Sequence, residues 1–519
     1  MTLLFAPITA TTREQALADV DAAVRAGADA VELRLDYLAD IDEPGVEAIR
    51  AAVGPRPILL TPRSRQEGGV WDADDMQRIS RLIALAPHAN MVDVELATWQ
   101  RSANIRQKVE MAAHRAGHGQ GPRLILSAHD FKQRQPDLYR LVARMNDTKA
   151  CGVAKVVFQA RHISECFELF DLMHSNPKPV IAIAMGEAGV VTRILAGKCG
   201  AFATFASVAA GKESAPGQVT LVDMKTLYRW DRVHRETPVY GVIGNPVAHS
   251  MSPAIHNRAL DACDLDGVYV PLLIESTYDH FEDFLRKAAE RPWFDLRGVS
   301  VTIPHKSNAL RYALARGGEI EPLAKRIGAA NTLTFDDGRV FAQNTDYAGA
   351  LDALTDAMGC ERADLRGTPV GVLGAGGVAR GIVAGLTDCG CNVVIYNRTA
   401  SRAKELADDF GCTAAPVEQR VRPGTKIVVN CTSIGMHPNV DEIPLPADRL
   451  APDMVVFDTV YNPIETRLLR EARGIGCRIV DGVAMFVHQA AAQFERWTGH
   501  PAPREAMRDV VVRRLKTNT

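Results

Sequence analysis

Residues 152–160 read GVAKVVFQA, the pattern of a buried strand. Val153, Ala154, Val156, Val157 and Phe158 are apolar, yet Lys155 sits among them. Taken alone, the stretch fits an edge strand, or a lysine whose stem lies on apolar surface while its amine reaches water. The rest of the chain carries the reading further. Eight such runs occur in the first 225 residues: LLFAPI (3–8), AVELRL (30–35), PILLTP (57–62), MVDVEL (91–96), RLILSA (123–128), VAKVVFQA (153–160), PVIAIAM (179–185) and AFATFAS (201–207). Amphipathic segments such as TREQALADVDAAVRAGA and DADDMQRISRLIALA separate them. Eight βα units in that length is the count of a compact (β/α)8 TIM barrel. Alternation does not by itself prove closure, so a doubly wound open sheet stays as the alternative.

The chain has 519 residues, a length suited to two to four domains. Hydrophobic residues make up 47% and charged residues 24%, as in an ordinary globular protein. A net charge of −2 gives no reason to expect nucleic acid or an anionic membrane as partner. No apolar run approaches the roughly 18 residues of a membrane span. The start, MTLLFAPITATTREQ, has no basic residue before Arg13 and so lacks the charged opening of a secretory signal. Ten cysteines are scattered without a CxxC pair, Cys389 and Cys391 being the close spacing. Reduced thiols in a cytoplasmic protein are expected, rather than a disulfide framework or structural zinc. His114 and His118 are four apart but lie in a polar HRAGHGQG stretch, and no metal site is expected. The segment YRWDRVHRETP (228–238) is charged, ends in Pro238 and reads as a linker.

Polar groups collect where the first eight runs end. They are Glu32, Arg34 and Asp36; Arg63 and Glu67; Asp93 and Glu95; His129; Lys155; Arg193; and Ser214 with Gln218. Barrel enzymes place their chemistry at these ends. A free lysine, with pKa about 10.4, is about one part in 2,500 neutral at pH 7, and making it half neutral takes roughly 4.6 kcal/mol. Desolvation in a barrel and cations such as Arg34 or Arg63 can supply that. A neutral amine attacks a ketone to form a Schiff base, whose iminium acidifies the adjacent C–H. His129, titrating near working pH, is the natural general base and acid. The planar fork of Arg193 suits a carboxylate.

VELRLD, TPRSRQEGG, DVE, LSAHDF, AKVV, MGEAGVVTR and SAPGQ, in this order, resemble the type I 3-dehydroquinate dehydratases over about residues 1–225. The resemblance implies that Lys155 forms the Schiff base with the ketone of 3-dehydroquinate. His129 would move the proton, and water would leave in a syn elimination to give 3-dehydroshikimate. It further implies that Glu67 assists the histidine or orders the site. Glu32, Arg34, Arg63, Arg193, Ser214 and Gln218 would bind substrate, with Arg193 on its carboxylate and Ser214 and Gln218 on a closing loop. Thr192 departs from the serine expected before the arginine.

The second half holds GVLGAGGVARG (371–381), with Gly374, Gly376 and Ala379 in G-x-G-x-x-A spacing between a strand and a helix. Such glycines permit a tight turn and close pyrophosphate approach at a helix N-terminus. Gly374, Ala375, Gly376, Gly377, Val378 and Ala379 are therefore expected to hold a dinucleotide. About 20 residues on, where an NAD enzyme carries a carboxylate, stand Asn397, Arg398 and Thr399, with Arg402 beyond. Two guanidiniums and no carboxylate suit the 2′-phosphate of NADP. Lys306, after a strand and a proline, and Asp346, near Asn344, could hold a hydroxyl and relay its proton. Sequence alone does not show that they meet.

GNPVAHSMSPAIHN, VTIPHK, GAANTL, QNTDYAG, GAGGVAR, NRTASR, NCTSIGM, DTVYNPIET and DGVAMFVHQAA resemble the shikimate dehydrogenases over residues 238–519. That resemblance implies Lys306 and Asp346 as the catalytic pair, and Ser250 and Ser252, helped by Tyr461, on the carboxylate. Thr302, Asn331 and Gln489 would hold the ring hydroxyls. Thr432 and Ser433 would lie in the cofactor domain, and Gly482 and Met485 near the nicotinamide. The expected organisation is a barrel over 1–227, a linker over 228–237, an α/β substrate domain over 238–345 completed by helices within 483–519, and a Rossmann domain over 346–482. The two halves then act in sequence, converting 3-dehydroquinate to 3-dehydroshikimate and, with NADPH, to shikimate. The partners would be these small molecules, with no nucleic acid or membrane, on a monomer or weak homo-oligomer. Two alternatives stay open: a quinate/shikimate dehydrogenase preferring NAD, and a non-catalytic sensor of pathway intermediates.

Overall fold

The computed structural model describes residues 2–38, 40–72, 74–115, 122–419, 421 and 424–517. His118, of the His114/His118 spacing, lies outside them. The chain forms two compact units. One comprises Met1–Val239, Asn245–Ala248 and Asp266–Asp295; the other comprises Tyr240–Gly244, His249–Leu265 and Leu296–Thr519.

Eight strands build the first unit's sheet: β1 (Leu3–Ile8), β2 (Ala30–Arg34), β3 (Ile58–Thr61), β4 (Met91–Glu95), β5 (Arg123–Asp130), β6 (Val153–Gln159), β7 (Val180–Met185) and β8 (Ala203–Phe205). Each run expected as a strand contains one. Neighbours are consecutive in sequence and parallel, and β1 pairs with both β2 and β8. At the remaining seam the Phe202 N–H donates to the Val180 carbonyl at 2.8 Å. This order makes a nearly closed barrel and removes the open-sheet alternative. The period of two in each strand turns Phe5, Ala30, Leu59, Met91, Ile125, Val153, Ile181 and Phe205 into one interior apolar cluster. The same period points Glu32, Asp93, Ser127 and Lys155 inward, one step further along their strands.

The segment expected as a linker is packed into this unit. Tyr228, Arg229, Trp230 and Thr237 are buried, Thr237 Oγ1 donates to Asp266 Oδ1 at 3.0 Å, and Lys198 Nζ donates to the Arg235 carbonyl at 2.9 Å. The segment is charged and ends in Pro238, but two aromatic rings within it supply apolar surface to bury. Strands β9 (Val239–Gly244) and β10 (Val268–Leu273) follow, and the helix Tyr278–Ala289 belongs to the first unit.

In the second unit, β11 (Leu296–Val301), β12 (Glu319–Ile320), β13 (Thr332–Asp336) and β14 (Arg339–Gln343) lie beside β9 in the order β9-β11-β13-β14-β12. A second sheet holds β15 (Pro369–Leu373), β16 (Asn392–Asn397), β17 (Thr413–Pro416), β18 (Ile427–Asn430), β19 (Val455–Asp458) and β20 (Arg478–Val480). It is parallel throughout, in the order β17-β16-β15-β18-β19-β20. Renumbered from β15, that is 3-2-1-4-5-6, the Rossmann order, whose crevice lies beyond the carboxyl end of β15. The helices Gly482–Thr498 and Arg504–Thr517 return to pack on Ser252–Ala262 through Ile255, Leu260, Val483, Val487, Phe494, Met507 and Val511. No helix among the described residues is long and apolar enough to cross a membrane.

Candidate active sites

Nine of the residues singled out in the first half line one cavity: Glu32, Arg34, Arg63, Glu67, His129, Lys155, Arg193, Ser214 and Gln218. Its empty space, including the part open to solvent, is about 460 Å³. Lys155 is 4% exposed. Its Nζ lies 2.9 Å from Asp93 Oδ2, 3.7 Å from Glu32 Oε1 and 4.6 Å above the Phe205 ring centre. The expectation that Arg34 and Arg63 press on the amine is therefore corrected. Arg34 is turned onto Asp36 through two hydrogen bonds of 2.8 and 2.7 Å. Arg63 bonds Asp93 Oδ2 at 2.9 Å, Ser127 Oγ at 2.9 Å and Glu95 Oε1 at 3.4 Å. Burial raises the Asp93 carboxyl, but Arg63 and Lys155 outweigh it and hold the group well below the usual carboxylate range. Asp93 had been noted as a strand-end acid without a role. Its place on one inward face with Met91 and Glu95 was the available signal.

His129 Nδ1 lies 2.9 Å from Glu67 Oε2, and that oxygen also accepts the His129 backbone N–H at 3.0 Å. Burial, with Arg63 and Lys155 adding to it, holds the imidazole well below its ordinary value, so it is neutral. Burial pushes Glu67 up to about 8, with Arg63 pulling the other way. Arg193 differs from the other cations. It is 2% exposed, its Nη1 makes one long bond of 3.4 Å to the Phe205 carbonyl, and its Nε has no hydrogen-bond partner among the described residues. Burial pulls it down to about 10, still charged at neutral pH. A buried guanidinium without a counter-ion is costly unless an anion arrives. Ser214 and Gln218 brace one loop: the Ser214 N–H donates to Gln218 Oε1 at 2.8 Å, and Gln218 Nε2 donates to Ser214 Oγ at 3.0 Å. Thr192 has a structural task, its hydroxyl donating to the Gly189 carbonyl at 2.7 Å and accepting the Ala184 N–H at 3.1 Å.

In the second unit Lys306 and Asp346 do meet, Nζ to Oδ2 at 2.6 Å. Both sit at helix starts, in Lys306–Ala315 and Thr345–Met358. Asn331 Nδ2 donates to the other oxygen of Asp346 at 2.9 Å and to Thr345 Oγ1 at 3.0 Å, with Gln489 Oε1 at 3.5 Å. Gln489 Nε2 donates to the Phe486 carbonyl at 3.2 Å, and Tyr461 stacks on the Phe486 ring at 5.7 Å. The Ser252 N–H donates to Ser250 Oγ at 3.2 Å, and the Thr302 N–H to the Ile243 carbonyl at 2.8 Å. Thr345 was not singled out from sequence; it locks Asn331 by donating its N–H to Oδ1 at 2.7 Å.

Gly374 has φ +108°, and a Cβ there would lie 3.1 Å from the Cys431 carbonyl oxygen and from Thr432 Cγ2. Gly376 caps the helix Gly377–Asp388, and a Cβ at either of these glycines would meet nothing within 4 Å. The helix N-terminus thus opens on free space, as an approaching phosphate requires. Arg398 and Arg402 are exposed. Asn397 Nδ2 donates to the Thr399 carbonyl at 2.9 Å. The Thr432 N–H and hydroxyl donate to Asn430 Oδ1 at 3.0 and 2.7 Å, while Ser433 is exposed. Gly482 lies too close to the Val460 carbonyl for any side chain. Met485, expected near the nicotinamide, is buried in the apolar core of this half. The open helix N-terminus and the exposed guanidiniums of Arg398 and Arg402 fit a dinucleotide carrying an extra phosphate.

An eight-stranded barrel with a buried lysine, followed by a Rossmann dehydrogenase with a Lys–Asp pair, defines a two-enzyme chain, a lyase fused to an oxidoreductase. Family models agree in chain order. The type I 3-dehydroquinase model matches residues 4–235, and that of the shikimate dehydrogenase substrate binding domain matches 242–333. An NADP oxidoreductase (coenzyme F420-dependent) model matches 369–460, and the shikimate 5'-dehydrogenase C-terminal domain matches 482–512. The chloroplastic bifunctional 3-dehydroquinate dehydratase/shikimate dehydrogenase of Arabidopsis thaliana is 37% identical, covering 97% of this chain and 83% of its own. Shikimate dehydrogenases (NADP(+)) from Methanosarcina acetivorans and Haloarcula marismortui are 40% and 43% identical over 54% and 52% of this chain, and 99% and 96% of their own. The chain belongs to the family of bifunctional 3-dehydroquinate dehydratase/shikimate dehydrogenases. It carries both activities, the dehydratase and the dehydrogenase of the shikimate pathway.

Proposed function

We propose that Lys155 is the Schiff-base lysine of the first site and that Arg193 binds the substrate carboxylate. The buried guanidinium of Arg193, with its Nε unpartnered in the cavity that holds Lys155 and His129, carries this reading. The ammonium leaves its ion pair with Asp93 and gives one proton to the neutral imidazole of His129; the free amine attacks the ketone of 3-dehydroquinate, His129 returns the proton to the hydroxyl that departs as water, and an iminium is left. His129 then takes the adjacent proton through Nε2 while Nδ1 rests on Glu67, and returns it to the departing hydroxyl. Water hydrolyses the iminium, releasing 3-dehydroshikimate and the free amine. Glu32, Arg34 and Arg63 hold the charge pattern around the ring, and Ser214 and Gln218 close over it.

In the second site Gly374, Ala375, Gly376, Gly377, Val378 and Ala379 would hold the phosphates of NADP. Asn397, Arg398, Thr399 and Arg402 take the 2′-phosphate, and Thr432, Ser433, Gly482 and Met485 complete the cofactor wall. NADPH, when bound, supplies the hydride. Lys306 donates a proton to the developing alkoxide, and Asp346 orients the ammonium. Thr302, Asn331 and Gln489 hold ring hydroxyls, while Ser250, Ser252 and Tyr461 hold the carboxylate. The barrel domain is 1–227, the connecting segment 228–237, the substrate domain 238–345 with 483–519, and the cofactor domain 346–482. Ten free cysteines suit a reducing, cytoplasmic setting.

Supplied with 3-dehydroquinate and NADPH, the full chain should make shikimate. Lys155→Ala should stop that conversion while leaving reduction of added 3-dehydroshikimate intact. Unchanged overall conversion in the variant would overturn the assignment.

A further inference from the structure

One cluster belongs to neither site. His162 follows β6 in the turn before the helix Cys166–Ser175, Glu275 follows β10, and His280 lies in the first turn of Tyr278–Ala289. All three are in the first unit. None lines the cavity that holds Lys155. The Thr277 hydroxyl accepts the His280 backbone N–H at 3.4 Å, fixing that turn. Glu275 Oε1 lies 2.6 Å from His162 Nδ1, and Oε2 lies 3.3 Å from His280 Nδ1. The two rings are 4.5 Å apart and tilted by 44°. One ligand atom from each residue can be chosen so that all lie within 4.8 Å of one another.

Two of these atoms are poorly served as they stand. His280 Nδ1 and Glu275 Oε2 are buried, and neither has a hydrogen-bond partner among the described residues, although they face each other. Leaving such atoms unsatisfied costs stability. Their spacing is that of two ligands on a tetrahedral metal: bonds of about 2.0–2.1 Å put ligand atoms about 3.3–3.4 Å apart. Two imidazole nitrogens and one carboxylate form a borderline donor set that suits zinc, whereas magnesium and calcium favour oxygen alone.

We propose that His162, Glu275 and His280 form a zinc site, with three protein ligands and water in the fourth position. The sequence reading expected no metal, having only His114 and His118 at a ligand spacing; His162 lies 113 residues before Glu275, so no local motif joins these three. Bound zinc would tie the turn after β6, the strand that carries Lys155, to the segment Asp266–Asp295. It would stabilise the unit by ordinary linkage, since the unfolded chain has no preformed site.

The test uses the full-length, tag-free protein, stripped with a chelator and dialysed against micromolar zinc, with metal content read by mass spectrometry. One zinc per chain is expected, with a higher melting temperature than the stripped protein. The metal should be lost in Glu275→Gln and in His280→Gln, and kept in His234→Gln, whose histidine has its own acidic neighbours Glu236 and Asp266. Retained dehydratase activity certifies the fold of each variant. Anomalous scattering at the zinc edge on crystals of the unaltered protein should place the ion between His162, Glu275 and His280, independently of any variant. No zinc bound above the level of Glu275→Gln, zinc kept by both ligand variants, or an ion located elsewhere would overturn the proposal.

Discussion

One residue of the barrel interior sets its chemistry against its stability. Arg34 and Arg63 are neutralised by Asp36 and by Asp93 with Glu95, but Arg193 is buried with no counter-ion among the described residues. Replacing a lone buried charge by an apolar side chain of similar length removes an uncompensated desolvation cost. Arg193→Met should therefore raise the melting temperature of the empty protein while lowering dehydratase kcat/KM by about 100-fold or more, the loss of a charge-assisted bidentate contact. Calorimetry beside steady-state kinetics tests this, and a variant both less stable and fully active contradicts it. Glu67 and His129 act as a pair. With Glu67 pushed up to about 8 it keeps a proton at neutrality, which occupies Nδ1 and leaves the histidine a poor base at Nε2. As the pH rises toward 8 that proton leaves, Nδ1–H turns onto the carboxylate and Nε2 is freed. Dehydratase kcat/KM should thus rise from pH 6 to 8. In Glu67→Gln, which has no such proton to lose, the rise should move to lower pH. An unchanged profile would contradict the pairing.

At the scale of elements, the helix Ser252–Ala262 carries an acid-sensitive contact with the C-terminal helices. His256 is buried, its Nε2 lies 3.3 Å from Gln493 Oε1, and its ring lies 5.2 Å from that of Trp497. Burial lowers its pKa to about 3. In the unfolded chain the same imidazole takes its proton at about its ordinary value, near pH 6.5. Between those values the unfolded state holds the extra proton. The contribution is complete above about pH 6.5 and falls by about 1.4 kcal/mol per pH unit as the pH drops toward 3. Urea inactivation of the dehydrogenase should show that slope, and His256→Gln should flatten it; equal slopes would contradict this reading. The strands were the most legible elements. Each apolar run became one, because a strand buried on both faces needs a continuous apolar stretch. The partners of Lys155 were not legible. Asp93 lies on β4 and Lys155 on β6, with β5 between them, so their contact depends on how far each strand is shifted in the barrel.

For the whole molecule, the order of reactions follows from the two sites lying on one chain. Lys306→Met removes the ammonium that faces Asp346 and should lower reduction by about 10²–10⁴-fold, the usual contribution of a positioned acid. Supplied with 3-dehydroquinate and NADPH, that variant should accumulate 3-dehydroshikimate in solution at the full dehydratase rate; a proportional loss of both steps would contradict independent sites. The two-enzyme organisation was legible because each half carries many motifs in order. The grouping of Asp266–Asp295 with the barrel was not, because no local pattern marks which neighbour a segment packs against. The packing of 228–237 was not legible either, since Tyr228 and Trp230 stand among charges in the sequence, yet both are buried. The central claim, that the lysine inside the barrel is the nucleophile, is tested most directly by covalent trapping. The full chain, treated with borohydride in the presence of 3-dehydroquinate and mapped by mass spectrometry, should carry one reduced adduct on Lys155 and none in Lys155→Ala. An active protein that carries no adduct, or carries it on another lysine, would contradict the account.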